Sequence, residues 1–283
     1  MTPTPFTARR AAFRKLHESG CFVIPNPWDT GTARYCRKLG FQALATTSAG
    51  FAFSQGLPDA DWAVPRDPVL EHIAEIVNAV DLPVNADFES GYAHDAETMA
   101  QNVKLCVAAG VAGLSIEDST GDPSYPLYEI PAAVERMRAA RAAIDETESG
   151  VLLTGRAECY LVGHPEPLRE SILRLQAYAE AGADVLYAPG PRNRNDIQTI
   201  VQELQPKPVN ILVSTNPGFT VADLAEWGVR RISVGSSLAR AAWTGFLNAT
   251  RPMAEQGSFA GFEGLAPHQE LNHFFRDDWK SRQ

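Results

Sequence analysis

Asp87 and Glu89 stand two residues apart at the end of the apolar run Pro83-Val84-Asn85-Ala86. Glu117 closes a second run, Leu114-Ser115-Ile116, with Asp118 directly behind it. Two carboxylates as close as Asp87 and Glu89 repel each other unless a proton or a cation lies between them. If both runs are parallel strands, these acids lie at the ends where α/β proteins carry their chemistry. Asp87, Glu89 and Glu117 then converge on one hard cation, Mg²⁺ or Mn²⁺ in its place, which takes oxygen ligands and keeps several waters. Any one of these acids alone reads more simply as a helix cap or loop acid. Asp118 fits either a ligand or a structural acid.

Arg156 ends a third run, Leu152-Leu153-Thr154-Gly155. A guanidinium there suits two-point binding of a substrate carboxylate; the competing reading is an ion pair with Glu158. The small residues Thr47-Ser48-Ala49-Gly50 let backbone N–H groups approach an anion. Asp59, in Gly56-Leu57-Pro58-Asp59, reaches the same mouth or serves a turn. Gly235-Ser236-Ser237 opens a late helix, as a phosphate site or as a serine cap.

These side chains need a frame. Strand-like runs fall near residues 21–25, 43–47, 83–87, 112–117, 151–156, 184–188, 208–213 and 231–234. Amphipathic helical segments such as PVLEHIAEIVNAV and LRESILRLQAYAEAG alternate with them. Alternation of this kind implies parallel strands. Eight units in roughly 250 residues is the size of a (β/α)₈ TIM-type barrel. LGFQALATT, AGVAGLSIE, AGADVLYAP and WGVRRISVG repeat a glycine between helix and strand. A doubly wound open sheet competes, but no GxGxxG fingerprint is present. Phe6, Phe13 and Leu16 suggest an extra N-terminal helix, and PHQELNHFFRDDW a C-terminal one. With no Pro/Gly/Ser-rich linker, the expectation is a single barrel domain over 1–283 with a helical extension from about 255 to 283.

The 283 residues are 45% hydrophobic, enough for a large core. A net charge of −9 argues against nucleic acid and anionic membranes as partners. No apolar stretch approaches a membrane span, and the first twenty residues lack a signal-peptide core. Four scattered cysteines without CxxC spacing suit a reduced, cytoplasmic protein. HExxH and GxSxG are absent. None of the five lysines falls at an expected strand end, which disfavours a Schiff-base aldolase.

Taken together these residues resemble the isocitrate lyase / phosphoenolpyruvate mutase superfamily, from about Val23 to Leu238. Its DAD-T-G-Y segment is matched by Asp87-Phe88-Glu89-Ser90-Gly91-Tyr92, and its AGVxGxxIED strand by Ala109–Asp118. R-T-D is matched by Arg156-Ala157-Glu158, the S-G-x-G turn by Thr47–Gly50, and the GLPD loop by Gly56–Asp59. The resemblance implies Mg²⁺ held by Asp87, Glu89 and Glu117, mostly through waters. It implies a 2-oxo carboxylate on the amides around Ser48 and Ala49, Arg156 on a carboxylate or the reacting end, and Asp59 near the metal and the reacting group. It also implies a homodimer or homotetramer, since members commonly exchange the eighth helix.

The departures narrow the chemistry. Ser119–Tyr128 replaces the K-K-C-G-H lid of the lyases and offers no Cys, Lys or His. Ala188-Pro189-Gly190 replaces P-E-G, losing a substrate-binding glutamate; Asn210 is a candidate compensating contact. The leading expectation is a Mg²⁺-dependent lyase that cleaves or decarboxylates a small 2-oxo or 2-hydroxy di- or tricarboxylate, leaving a pyruvate-like enolate. Asp59, Arg156, Glu117 and Tyr125 are its candidate catalytic residues. Thr47, Ser48, Ala49, Asp87, Arg156, Glu158 and Asn210 are candidates for binding substrate. P–C bond chemistry on phosphonopyruvate or phosphoenolpyruvate is one alternative. A 2-oxo acid binding protein without turnover is another.

Overall fold

The computed structural model describes residues 5–59 and 62–283. Eight strands run parallel: β1 (Phe22–Ile24), β2 (Leu44–Ala45), β3 (Val84–Asp87), β4 (Gly113–Glu117), β5 (Leu152–Arg156), β6 (Val185–Tyr187), β7 (Val209–Leu212) and β8 (Arg231–Ser233). The first helices are α1 (Pro5–Leu16), α2 (Thr30–Lys38), α3 (Ser48–Ser54), α4 (Arg66–Ala79) and α5 (Ala96–Ala108). They are followed by α6 (Ile130–Glu146), α7 (Pro167–Glu180), α8 (Arg194–Glu203), α9 (Val221–Glu226), α10 (Ser237–Gln256) and α11 (His268–Ser281).

Each strand pairs with its sequence neighbour from β2 through β8, and β8 returns to β1, with Phe22 opposite Arg231. The seam between β1 and β2 is closed by Ala45 N–H donating to Pro25 O at 3.0 Å and Asn26 Nδ2 to Thr46 O at 2.8 Å. The result is the expected TIM-type barrel, with all eight strands within the runs read from sequence. The hydrophobicity that located them is the reason: a strand covered on both faces carries a near-continuous apolar run.

Local chemistry sets the helix boundaries. Asp29 and Thr32 form a capping box on α2, and Asp95 caps α5 through the Thr98 amide at 2.7 Å. Gly110 and Gly182, both from the repeated helix-to-strand turn, have φ of +93° and +106°. A Cβ at either would lie 2.6 Å from Phe6 or Arg141, so the left-handed turn and the close packing both require glycine.

Two cores result. The larger lies between the strands and the surrounding helices. The smaller joins Phe22, Ile24, Ala43, Ala45, Ala112, Leu152 and Val185 with Phe13 of α1. Arg10 and Arg14 of α1 donate to Val111 O and Gly150 O, just before β4 and β5, so α1 covers the N-terminal end of the barrel. The chemistry is left to the opposite end.

The chain divides into two compact units, one ending at Ser237 and carrying all eight strands, the other Leu238–Gln283. Among the described residues no helix is long and apolar enough to cross a membrane.

Candidate active site

Asp87, Glu117 and Arg156 are the last residues of the adjacent strands β3, β4 and β5. Arg156 is the hub. Its Nη1 lies 3.1 Å from Asp87 Oδ1 and 3.2 Å from Glu117 Oε2, and its Nε donates to Glu158. The guanidinium lies 5.3 Å from the centroid of the Tyr187 ring, a cation–π contact. Burial opposes its charge, but Glu158, Glu117, Tyr187 and Asp87 outweigh burial and hold it protonated. Of the two sequence readings of Arg156, the ion pair with Glu158 is present, and the side chain stands at the barrel mouth.

The acids carry more negative charge than one guanidinium neutralises. Desolvation pushes Glu89 up to about 7, with Asp87 and Asp59 adding to it; the Tyr92 hydroxyl, donating to Glu89 Oε1 at 2.7 Å, works the other way. Desolvation also raises Glu117 and Glu158, against the pull of Arg156. Asp59 lies on the rim, where the pocket walls and then Asp87 raise its carboxyl.

The Thr47–Gly50 turn is the start of α3, a helix not foreseen from the sequence because small residues gave it no apolar stripe. Thr47 caps it through the Gly50 amide at 3.1 Å. The Ser48 amide and hydroxyl donate to Asp87 Oδ2 at 3.0 and 3.1 Å. The Ser48 amide, one of those expected to bind a 2-oxo carboxylate, is thus engaged by Asp87. Ala49 lines the inner cavity, and nothing accepts from its amide among the described residues. Just before α10, Asn26 Oδ1 accepts from the Val234 and Gly235 amides at 3.0 Å each.

Asp118 is structural. It is buried and accepts from Tyr178 Oη at 2.6 Å, Arg174 Nη1 at 3.1 Å and the Glu158 amide at 2.9 Å. It thereby fixes the backbone that carries Glu158. Glu89 and Tyr92 adopt φ of +46° and +56°, strained for residues with side chains. Arg136 of α6 clamps that turn by donating to Ser90 O and His94 O.

Two cavities open here. The outer one, about 790 Å³, is lined by Asp59, Glu89, Glu117, Trp62 and the β4–α6 loop, including Tyr125. Tyr125 is 75% exposed; Tyr128 donates to or accepts from His94 Nδ1 at 2.8 Å. The inner cavity, about 160 Å³, runs from Ser48, Asp87 and Arg156 down to Asn85, Asn210 and Arg231. Asn210 donates to Ser233 Oγ at 2.9 Å and accepts from Arg231 Nε at 2.9 Å. Sequence reading missed Arg231 and Asn85. The signal was available for Asn85, two residues before Asp87 and so on the same strand face.

Among the described residues no three acidic, imidazole or thiol side chains are close enough to ligate one ion directly. The residues fit a hydrated Mg²⁺ better than a bare one: Asp87, Glu89 and Glu117 offer oxygen donors, and the raised carboxyls of Glu89 and Glu117 show charge in need of a cation.

A family model described as phosphoenolpyruvate phosphomutase matches residues 13–254. The chain belongs to this family. Over 242 residues it is 31% identical to an oxaloacetate decarboxylase of Pseudomonas entomophila, covering 80% of this chain and 78% of that one. It is 34% identical over 191 residues to the 2-methylisocitrate lyase of Escherichia coli, covering 65% and 62%. The crystal structure of a candidate lyase/mutase from Burkholderia cenocepacia superposes with a TM-score of 0.92 at 44% identity, covering 96% and 98%. The PEP phosphomutase family thus includes enzymes that break C–C bonds, along with mutases. In this member the β4–α6 loop is folded by an antiparallel bridge between Ser119 and Leu127 and carries no cysteine, lysine or histidine.

Proposed function

We propose that this chain is a Mg²⁺-dependent lyase that breaks a C–C bond of a small 2-oxo or 2-hydroxy di- or tricarboxylate, through an enolate. The observation that carries the reading is the convergence of Asp87, Glu117 and Glu158 on Arg156 at three adjacent strand ends, facing a cavity. Asp87, Glu89 and Glu117 would hold the cation, whose chemistry is to stabilise negative charge on the enolate oxygen. Arg156 orients the reacting end and fixes the acids around it. Asp59, with its raised carboxyl on the rim, is placed to carry a proton; Tyr125 or water is the other donor. The named relatives support C–C chemistry. A phosphonate entering the outer cavity would meet carboxylates, and the loop above it supplies no cation.

Two variants fall within this reading. Loss of CO₂ from an oxaloacetate-like acid needs no base beforehand. Cleavage of a hydroxy acid needs a base for the hydroxyl proton. The test is incubation with Mg²⁺ and oxaloacetate, isocitrate, 2-methylisocitrate, dimethylmalate or phosphonopyruvate, with products followed by NMR and EDTA as control. EDTA-sensitive release of a 2-oxo acid is expected. Phosphate release would move the protein to P–C chemistry, and binding without turnover would make it a 2-oxo acid binding protein.

A further inference from the structure

Arg231 sits inside the barrel, 3% exposed, one layer below the acidic cluster. A buried arginine normally has a carboxylate partner. Among the described residues Arg231 has none. Its contacts are neutral: Asn210 Oδ1 at 2.9 Å, Thr154 Oγ1 at 3.2 Å and Asn85 Oδ1 at 3.5 Å. These take three of the five N–H groups a guanidinium offers. Burial lowers its pKa to about 10, so it stays charged at neutral pH. It lies on the floor of the inner cavity, whose upper end is Ser48, Asp87 and Arg156. About 160 Å³ is several times the ~30 Å³ share of one water in the liquid, enough for the far end of a small acid.

We infer that Arg231 is the recognition group for a second carboxylate of the substrate, bound in the inner cavity while the reacting end lies at Asp87 and Arg156. This rests on the lyase reading and narrows its substrate class. An anion there would neutralise a cation that the barrel already desolvates, with the two unused N–H groups as donors. The site also selects between the two variants. With the 2-oxo end at Asp87 and Arg156, the carboxylate on Arg231 is the distal one that decarboxylation would release, so a site that holds its charge favours its staying in the product. The matching reaction is cleavage of a 2-hydroxy acid. A base removes the hydroxyl proton and the C2 carbonyl forms as the C2–C3 bond breaks. The electron pair passes to C3, which is then protonated, and no oxidant or reductant is consumed.

The test is calorimetric titration, in Mg²⁺, of the wild-type protein and of Arg231→Gln and Arg231→Lys. The probes are succinate, with two carboxylates, and glyoxylate, with one. Succinate affinity should fall about a hundredfold in Arg231→Gln and less in Arg231→Lys, with glyoxylate affinity within about twofold throughout. Equal losses for both probes would make Arg231 a scaffold residue and overturn the inference. So would unchanged succinate binding, or a wild type that does not bind succinate. If Arg231→Gln does not fold, Asn210→Asp places a carboxylate on Arg231 in a near-identical shape; retained succinate binding in that variant also overturns it. Failure of this inference is separable from failure of the lyase reading. Arg231-dependent succinate binding without turnover sinks only the lyase, and Mg²⁺-dependent turnover with Arg231-independent succinate binding sinks only the subsite.

Discussion

Arg156 does with one planar group what a lysine cannot. Its Nη1 spans Asp87 and Glu117 while Nε serves Glu158, so three acids are held at fixed spacing by one rigid fork. Arg156→Lys keeps the charge and loses the fork. Turnover should fall about a hundredfold through misplacement of the acids, with the circular dichroism spectrum unchanged; an unaltered kcat would show that the spacing is not used. Asp118 makes the complementary case. Asp118→Asn leaves Arg174 with Glu170 as its remaining acid and should lower stability by about 1.5–3 kcal/mol in urea unfolding. A loss of a few tenths would mean that Tyr178 and the backbone carry the network alone. At this scale the sequence was legible where a charged residue ended an apolar run, as at Asp87, Glu117 and Arg156. It was not legible where meaning came from pairing across strands. Nothing in the string RISV tells that Arg231 faces Asn210 and Thr154 rather than an acid, because that depends on register.

The elements show why the site end and the floor end differ. α1 was readable from Phe6, Phe13 and Leu16, but its docking under the barrel came from Phe13 meeting Phe22 and His17 at ring distances of 6.4 and 4.7 Å. His17 is buried there. Its Nδ1 contacts Phe13 O at 2.8 Å, and its Nε2 has no partner among the described residues. Burial, with Arg231 and two other arginines, lowers its pKa to about 3 from an ordinary 6.5. Between those values the unfolded chain binds the proton and the folded one does not, so stability falls as pH drops below 6.5 and is unaffected above it. The contribution is about 2 kcal/mol between pH 7.5 and pH 5. Urea unfolding of the wild type and His17→Gln at both pH values should show their stability difference shift by that amount in favour of the variant. An equal pH slope in both would mean that His17 is protonated in the fold. α3 is the element that sequence reading missed: SAGFAFS is too short and too small to show a helical stripe, and only the Thr47 cap announces it.

At the scale of the whole molecule, eightfold alternation was enough to foresee the barrel, because each strand is covered on both faces and each helix on one. What alternation could not supply was the closure, which depends on hydrogen bonds between β1 and residues near position 45 and on pairing of β1 with β8. The unit Leu238–Gln283 exposes Trp243, Phe246, Phe259, Phe262 and Trp279, more aromatic surface than an isolated chain usually leaves in water. Light scattering should therefore give a homodimer or homotetramer; a monomer at working concentration would remove the partner expected for that surface.

The floor beneath the barrel bears on how the chain reaches this state. α1 precedes all eight strands in the chain, yet the cluster that receives Phe13 contains Leu152 and Val185, and the wall beside it closes only when Arg231 pairs with Phe22. α1 is thus among the last elements to find its place, across a sequence separation that makes loop closure slow. Until then Phe6, Phe13 and the apolar face they share remain open to other chains. The burden of this architecture falls on the folding chain: Phe13, which seals the finished barrel, stays uncovered until distant strands arrive.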